Sequence, residues 1–143
     1  MARTPTRIGF SYWLARFVSG LFTSTWIRRR VLHSDRVPET GGVILASNHV
    51  SYLDPFYMVC SVQRLVIALA RASAYKVPLL GAMLHSWGVI PIDQSGSGRG
   101  LKTFFTRLRA GDAVMMYPEG TRSHTGQIQA PQPGVGFIIL KLA

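Results

Sequence analysis

The sequence predicts an α/β fold: a mixed, largely parallel sheet flanked by helices, with an N-terminal amphipathic membrane-interface helix. Three observations predict it. Apolar runs of strand length recur at 42–47, 65–70, 89–92 and 113–117. Segments of helical character separate them, and strands that alternate with helices favour parallel pairing. An aromatic helical stripe bracketed by arginines comes before the first run.

The stripe occupies residues 8–27. Phe10, Trp13, Leu14, Phe17 and Leu21 recur at helical spacing, while Ser11, Arg16, Ser19 and Thr23 fall largely elsewhere. Arg3 and Arg7 precede it, and Arg28, Arg29 and Arg30 follow it. A bilayer span needs about 20 apolar residues; Arg16 and the many Ser, Thr and Gly argue against one. A helix lying in the interface fits better, with aromatics in the lipid boundary and arginines on anionic headgroups. Packing on the protein's own core would give the same periodicity, but the basic flanks favour the interface. Residues 1–32 are thus expected to form a membrane-associating segment and residues 33–143 a second, larger domain.

Residues 33–42 read as a connector, with Pro38, Gly41 and Gly42. The run 42–47 is a buried strand. Asp54 to about Val62 should be helical, because Pro55 suits a first helical turn and Asp an N-cap. The run 65–70 is a second strand. Residues 72–87 look helical, broken or started near Pro78. The run 89–92 is a third strand, and Ser95-Gly96-Ser97-Gly98 a flexible loop. Residues 99–110 form an amphipathic basic helix, and 113–117 a fourth strand. Gly136 to Ala143 is a largely apolar segment, with Lys141 its one charge and no polar ending, the pattern expected of a chain cut inside an element.

Composition narrows the partners. The 143 residues suffice for one domain at most, and 48% are hydrophobic. The formal charge is +10, with six acids against 16 bases, 13 of them arginine. Arginine suits phosphate through its planar fork. A greasy, arginine-rich chain points to an anionic membrane surface or phosphorylated ligands, and no nucleic-acid module is present. Cys60 stands alone, so no intrachain disulfide or cysteine metal site can form. His33, His85 and His124 lack partners at ligand spacing, so no metal is expected. Met83 and Trp87 read as core.

The chemistry concentrates in Asn48-His49-Val50-Ser51-Tyr52-Leu53-Asp54. His is the side chain best able to move a proton near neutral pH. A carboxylate on its far nitrogen fixes the tautomer and stabilises the imidazolium. On one ideal helix the pair would sit about 140° apart, using about 100° per residue. They can meet if His49 lies in a turn and Asp54 enters the next helix; otherwise Asp54 only caps that helix. No Gly-x-Ser-x-Gly elbow occurs, which suggests a base acting on a hydroxyl of the substrate. The motif, the polar end of the 88–93 segment at Asp93, and Pro118-Glu119-Gly120-Thr121-Arg122 each fall at the C-terminal end of a strand run. In open sheets, sites gather at such ends.

Taken in order, Asn48-His49-x4-Asp54, Gly88-Val89-Ile90-Pro91-Ile92-Asp93 and Tyr117-Pro118-Glu119-Gly120-Thr121-Arg122-Ser123 resemble the motifs of the glycerolipid acyltransferases. The best-known members are the 1-acylglycerol-3-phosphate acyltransferases, and the resemblance covers roughly residues 40–143. It implies acyl transfer from an acyl thioester, carried by coenzyme A or acyl carrier protein, to the hydroxyl of a lysophospholipid. His49 would be the general base and Asp54 its partner. Asn48, Glu119, Gly120, Thr121 and Arg122 would serve the acceptor: Arg122 grips the glycerol phosphate, and Glu119 orders the loop or bonds the acceptor. No cofactor is implied beyond the thioester co-substrate. Two departures stand out. Gln94 occupies a place where the family usually has arginine, so Arg99 or Lys102 would supply the cation. A fourth motif should lie beyond residue 143.

Residue chemistry agrees. Alcoholysis of a thioester needs a base within reach of the hydroxyl and donors for the oxyanion. Backbone N–H groups after Pro118 are candidates, with Gly120 allowing close approach. A peripheral or monotopic protein on the cytoplasmic membrane face is the expectation. The alternatives are a non-catalytic membrane-binding protein and a thioester hydrolase using the same His–Asp pair.

Overall fold

The computed structural model describes residues 8–92 and 99–141. Asp93, Gln94 and the Ser95-to-Gly98 loop fall outside the described residues, as do Arg3 and Arg7. The elements run α1 (Phe10–Thr25), β1 (Val43–Ala46), α2 (Asp54–Ser61), β2 (Val66–Ile67), β3 (Leu69–Arg71), α3 (Pro78–Ser86), β4 (Ile90–Ile92), α4 (Arg99–Arg109), β5 (Ala113–Met116) and α5 (Gly134–Leu140).

β5 is central. It pairs with β1 on one side and β2 on the other, while β3 pairs with β4. Each of these pairings is parallel. All four β5 residues are buried, so Ala-Val-Met-Met reads as an unbroken apolar run, as a parallel strand covered on both faces should. Val114 and Met116 pack with Phe104 and Leu108 of α4 and with Ile67 and Ile90. Ala113 and Met115 pack oppositely, with Val62 and Val66. In α4, Gly100, Phe104 and Leu108 are buried at four-residue spacing. Burying a Phe side chain stabilises the fold by about 1.5–3 kcal/mol. Gly42 lets β1 begin against the end of α4, since a Cβ there would lie 2.2 Å from the Leu108 carbonyl oxygen.

One expected element is divided, and another breaks at its proline as expected. The run 65–70 is two short strands, because the chain changes partner at Ala68, whose carbonyl accepts the Ile90 N–H at 2.9 Å. Hydrophobic periodicity carries no mark of such a bend. The 72–87 segment is a 3-10 turn, Ala72–Lys76, followed by α3 from Pro78. Proline lacks an N–H and biases the residue before it toward extended backbone, and Val77 is extended.

Helix α1 docks by its polar side. Tyr12 is 5% exposed, and its hydroxyl lies 3.3 Å from the Val66 carbonyl. The Arg16 guanidinium donates to the carbonyls of Arg64 and Val62, just past the end of α2. Terminal helix carbonyls lack intrahelical partners, and a cation there is favourable. Arg16, which weighs against a membrane span, therefore anchors the helix to the protein. Phe10, Phe17 and Trp26 are left 79%, 69% and 83% exposed. Among the described residues no helix is long and apolar enough to cross a membrane.

Candidate active site

The register of β1 and β5 builds the site. Ala46 stands opposite Met116 at the C-terminal ends, and the Ser47 N–H continues the ladder to the Met116 carbonyl at 3.2 Å. Three residues further on, each strand delivers a candidate site residue: His49 from one and Glu119 from the other. The Glu119 carboxylate is buried. One oxygen accepts the His49 main-chain N–H at 3.1 Å, and the other accepts the Gln129 N–H at 3.2 Å. The His49 carbonyl accepts the Ser123 N–H at 2.7 Å. Both edges of the His49 backbone are thus tied to the turn after β5.

The His49 side chain is equally constrained. Its ring stacks on Tyr117, with centroids 3.9 Å apart and planes 14° off parallel. Nδ1 lies 2.8 Å from Asp54 Oδ2. An ionised carboxylate only accepts, so Nδ1 carries the proton and Nε2 presents a lone pair. Nε2 has no partner among the described residues, and the side chain retains 18% exposure. His49 sits in a turn and Asp54 opens α2, which resolves the awkward helical spacing. Pro55 lies in the first turn, as its chemistry suggests, but Leu53 occupies the N-cap. The Asp54 carboxylate turns back toward the loop instead, where the same oxygen also accepts the N–H groups of Val50 at 2.7 Å and Ser51 at 2.8 Å.

These contacts set the charges. Burial pushes the Asp54 carboxyl up, but the bonds from Ser51, the His49 ring and Val50 together outweigh it and hold the group below its ordinary value. Asp54 is therefore a fixed anion beside the imidazole. Burial, with a smaller contribution from Asp54, raises the Tyr117 phenol well above its usual range. Its hydroxyl reaches Met115 Sδ at 3.6 Å, so Tyr117 acts here as a neutral wall.

The remaining motif residues divide. Gly120 has φ +70° in a turn closed by its N–H on the Tyr117 carbonyl at 3.0 Å. That amide is spent within the turn, and Thr121 and Arg122 hold the turn's remaining donors before Ser123. The Arg122 guanidinium lies over the Tyr52 ring. Asn48 and Thr121 are exposed at the mouth of the site. Arg99 is exposed at the start of α4, and no described contact joins it to His49, Asp54 or Arg122. Arg71 was not singled out from the sequence. It ends β3, and its Nη2 lies 3.5 Å from the Gly120 carbonyl oxygen. A cation closing an apolar strand run was the available signal, given where sites gather in open sheets. Among the described residues, no three His, Cys, Asp or Glu side chains gather as a metal site would require.

An apolar cavity of about 190 Å³ adjoins the motif, lined among others by Tyr52, Pro55, Phe56, Met83, Leu84 and Trp87. It exceeds the roughly 150 Å³ that holds a benzene molecule in an engineered protein cavity. Met83 and Trp87, read as core, are walls of this space.

Known proteins resemble this chain in sequence and in fold. The profile of the family described as Acyltransferase matches residues 28–143. The chain is 34% identical to the 1-acyl-sn-glycerol-3-phosphate acyltransferase of Pseudomonas aeruginosa over 123 residues, covering 83% of this chain and 45% of that protein. It is 23% identical over 141 residues to a chloroplastic enzyme of the same description from Arabidopsis thaliana, covering 96% of this chain and 39% of that one. Its fold matches the crystal structure of the 1-acyl-sn-glycerophosphate acyltransferase of Thermotoga maritima with a TM-score of 0.71 at 21% identity, over 92% of this chain and 54% of that chain. The chain thus spans less than half the length of these two curated relatives. By the profile match over most of its residues, the chain belongs to the Acyltransferase family.

Proposed function

We propose that the protein transfers a fatty acyl group from an acyl thioester, carried by coenzyme A or acyl carrier protein, to the hydroxyl of a lysophospholipid such as 1-acylglycerol-3-phosphate. The observation that carries this reading is the polarised imidazole, with Nδ1 on Asp54 at 2.8 Å and Nε2 open. His49 Nε2 takes the proton of the acceptor hydroxyl as its oxygen attacks the thioester carbonyl carbon. The new C–O bond leaves a tetrahedral oxyanion, and the Thr121 and Arg122 N–H groups are its candidate donors. Collapse breaks the C–S bond, and the imidazolium returns the proton to the departing sulfur as a free thiol. Asp54 stabilises the imidazolium in between.

Arg122 and Arg71 flank the Gly120 turn and supply cations for the acceptor phosphate, since guanidinium matches phosphate bidentately. The apolar cavity beside Tyr52 would house an acyl chain. Residues 1–32 would hold the remainder, residues 33–143, at the cytoplasmic membrane face, with the exposed aromatics of α1 in lipid.

The test is transfer of radiolabelled acyl groups from acyl-CoA to lysophosphatidate, with products identified by mass spectrometry. Phosphatidate formation that is lost in His49→Ala supports the reading. Acyl-CoA turnover without acceptor makes the protein a hydrolase, and vesicle binding without turnover makes it a non-catalytic membrane protein.

A further inference from the structure

A second groove lies between α1 and α2 and includes none of the residues that hold His49. It is open, about 450 Å³, and bounded by Trp13, Phe17, Ser24, Arg29 and Cys60, with Arg16 beside them. Arg29 reaches it through a chain reversal. Arg28 sits in the left-handed region at φ +52°, uncommon for a residue with a side chain, and the Arg29 N–H donates to the Thr23 carbonyl at 2.9 Å. The chain therefore folds back on the last turn of α1.

The Arg29 guanidinium has no carboxylate within salt-bridge distance among the described residues. Its terminal nitrogens reach only the Ser61 and Ser24 hydroxyl oxygens, each at 3.4 Å, and its Nε is buried without an acceptor. Five fork-shaped donors are thus met by two long contacts, in an arrangement that suits an oxyanion. Arg16 adds a second fixed positive charge. Burial raises the Cys60 thiol, while the charges of Arg29 and Arg16 both pull it down, so the two fields overlap on the groove wall. The rim is apolar: Trp13, Phe17 and Leu21 are 50%, 69% and 57% exposed. A cationic floor beneath an apolar rim complements an amphiphile better than a free anion.

From this we infer that the α1–α2 groove is a discrete seat for the phosphate of an anionic phospholipid, gripped by Arg29 and separate from the acceptor site at Arg122. The inference rests on the membrane-interface reading of α1 and replaces diffuse attraction with one defined contact.

Vesicle co-sedimentation of the full chain tests it, with phosphatidylcholine vesicles alone or with phosphatidylglycerol. Arg29→Gln should weaken binding to the anionic vesicles by about tenfold or more, as expected for a lost charge-assisted bidentate contact. Arg30→Gln removes the same charge outside the groove and should cost about fivefold or less, the share of one surface charge. Arg29→Lys is decisive. It keeps the charge, loses the fork, and should still bind several-fold more weakly; circular dichroism melts check that it remains folded. Wild-type affinity in Arg29→Lys overturns the seat and leaves the interface reading standing. Equal losses in Arg29→Gln and Arg30→Gln do the same. Inorganic phosphate that displaces the protein at matched ionic strength overturns the lipid as occupant. Wild-type protein that binds neither vesicle removes the interface reading and the seat together.

Discussion

The guanidinium carbon of Arg122 lies 3.6 Å above the ring centre of Tyr52, and its Nη2 donates to the Tyr52 hydroxyl at 2.8 Å. Tyr52 belongs to the His49 loop and Arg122 to the turn after β5, so the contact ties that loop to that turn. Tyr52 also lines the apolar cavity. Cation–π contacts at exposed sites contribute about 0.5–1 kcal/mol. Tyr52→Ala should therefore raise KM for lysophosphatidate about fivefold with kcat nearly unchanged, and Tyr52→Phe, which keeps the ring, should recover most of it. Steady-state kinetics read the split. An equal fall in kcat would show that Tyr52 acts on the chemistry instead.

Asp54→Asn tests the dyad. An amide presents the imidazole with the wrong tautomer, and the corresponding change in a hydrolase triad lowers kcat about 10⁴-fold. A loss of about 10²–10⁴ in kcat is expected here, with KM for lysophosphatidate little altered. Loss of thermal stability alone, with turnover intact, would leave Asp54 only a loop-ordering role.

Asp54 also couples stability to pH. Its carboxyl titrates below the ordinary 3.8 in the folded state, because hydrogen bonds outweigh burial. Its contribution is whole above the unfolded value and is lost as pH falls through the lower folded one. The melting-temperature gap between wild type and Asp54→Asn should stay constant from neutral pH down to about pH 4 and close below it. Melts across that range check the sign, and a gap that widens in acid would reverse it.

Glu119 holds the site from within. It is 3% exposed and its two carboxylate oxygens accept from His49 and Gln129. Glu119→Gln turns an –NH2 toward one of those N–H donors. A buried donor left unpaired costs about 1–3 kcal/mol. Chemical denaturation should show that loss, with kcat reduced because the His49 loop loosens. Amide exchange at His49 should quicken; unchanged exchange would mean the loop is held without Glu119.

Phe104 anchors α4 on the sheet and is 1% exposed. Phe104→Ala should destabilise the fold by about 3–5 kcal/mol through lost burial and a cavity. Urea unfolding measures it. A loss below 1 kcal/mol would mean the core collapses around the gap.

Several features were legible because they are local. The parallel α/β class follows from β5 and its neighbours, whose apolar runs need cover on both faces. The His49–Asp54 pair was legible as a motif, with Pro55 marking the helix start that lets the two meet. The bend at Ala68 was not, since an apolar run looks the same whether straight or changing partner. Nor was it legible which N–H groups after Pro118 stay free, since the turn that closes the Gly120 N–H on Tyr117 could not be seen. Arg71 gained meaning only once β3 ended beside that turn.

The sequence by itself determined the chemistry at hand: an imidazole, a carboxylate five residues on, an arginine-bearing turn, and an aromatic helix with basic flanks. Tertiary structure alone decided which of these meet and which way they face. Glu119 reaches the His49 backbone across 70 residues because β1 and β5 pair in one register. A one-residue slip would send every side chain of the strand to the other face. Helix α1 turns Phe10 and Phe17 outward because Arg16 finds carbonyls past the end of α2. Partners so distant in sequence are chosen by the packing of the whole sheet, which local periodicity does not encode.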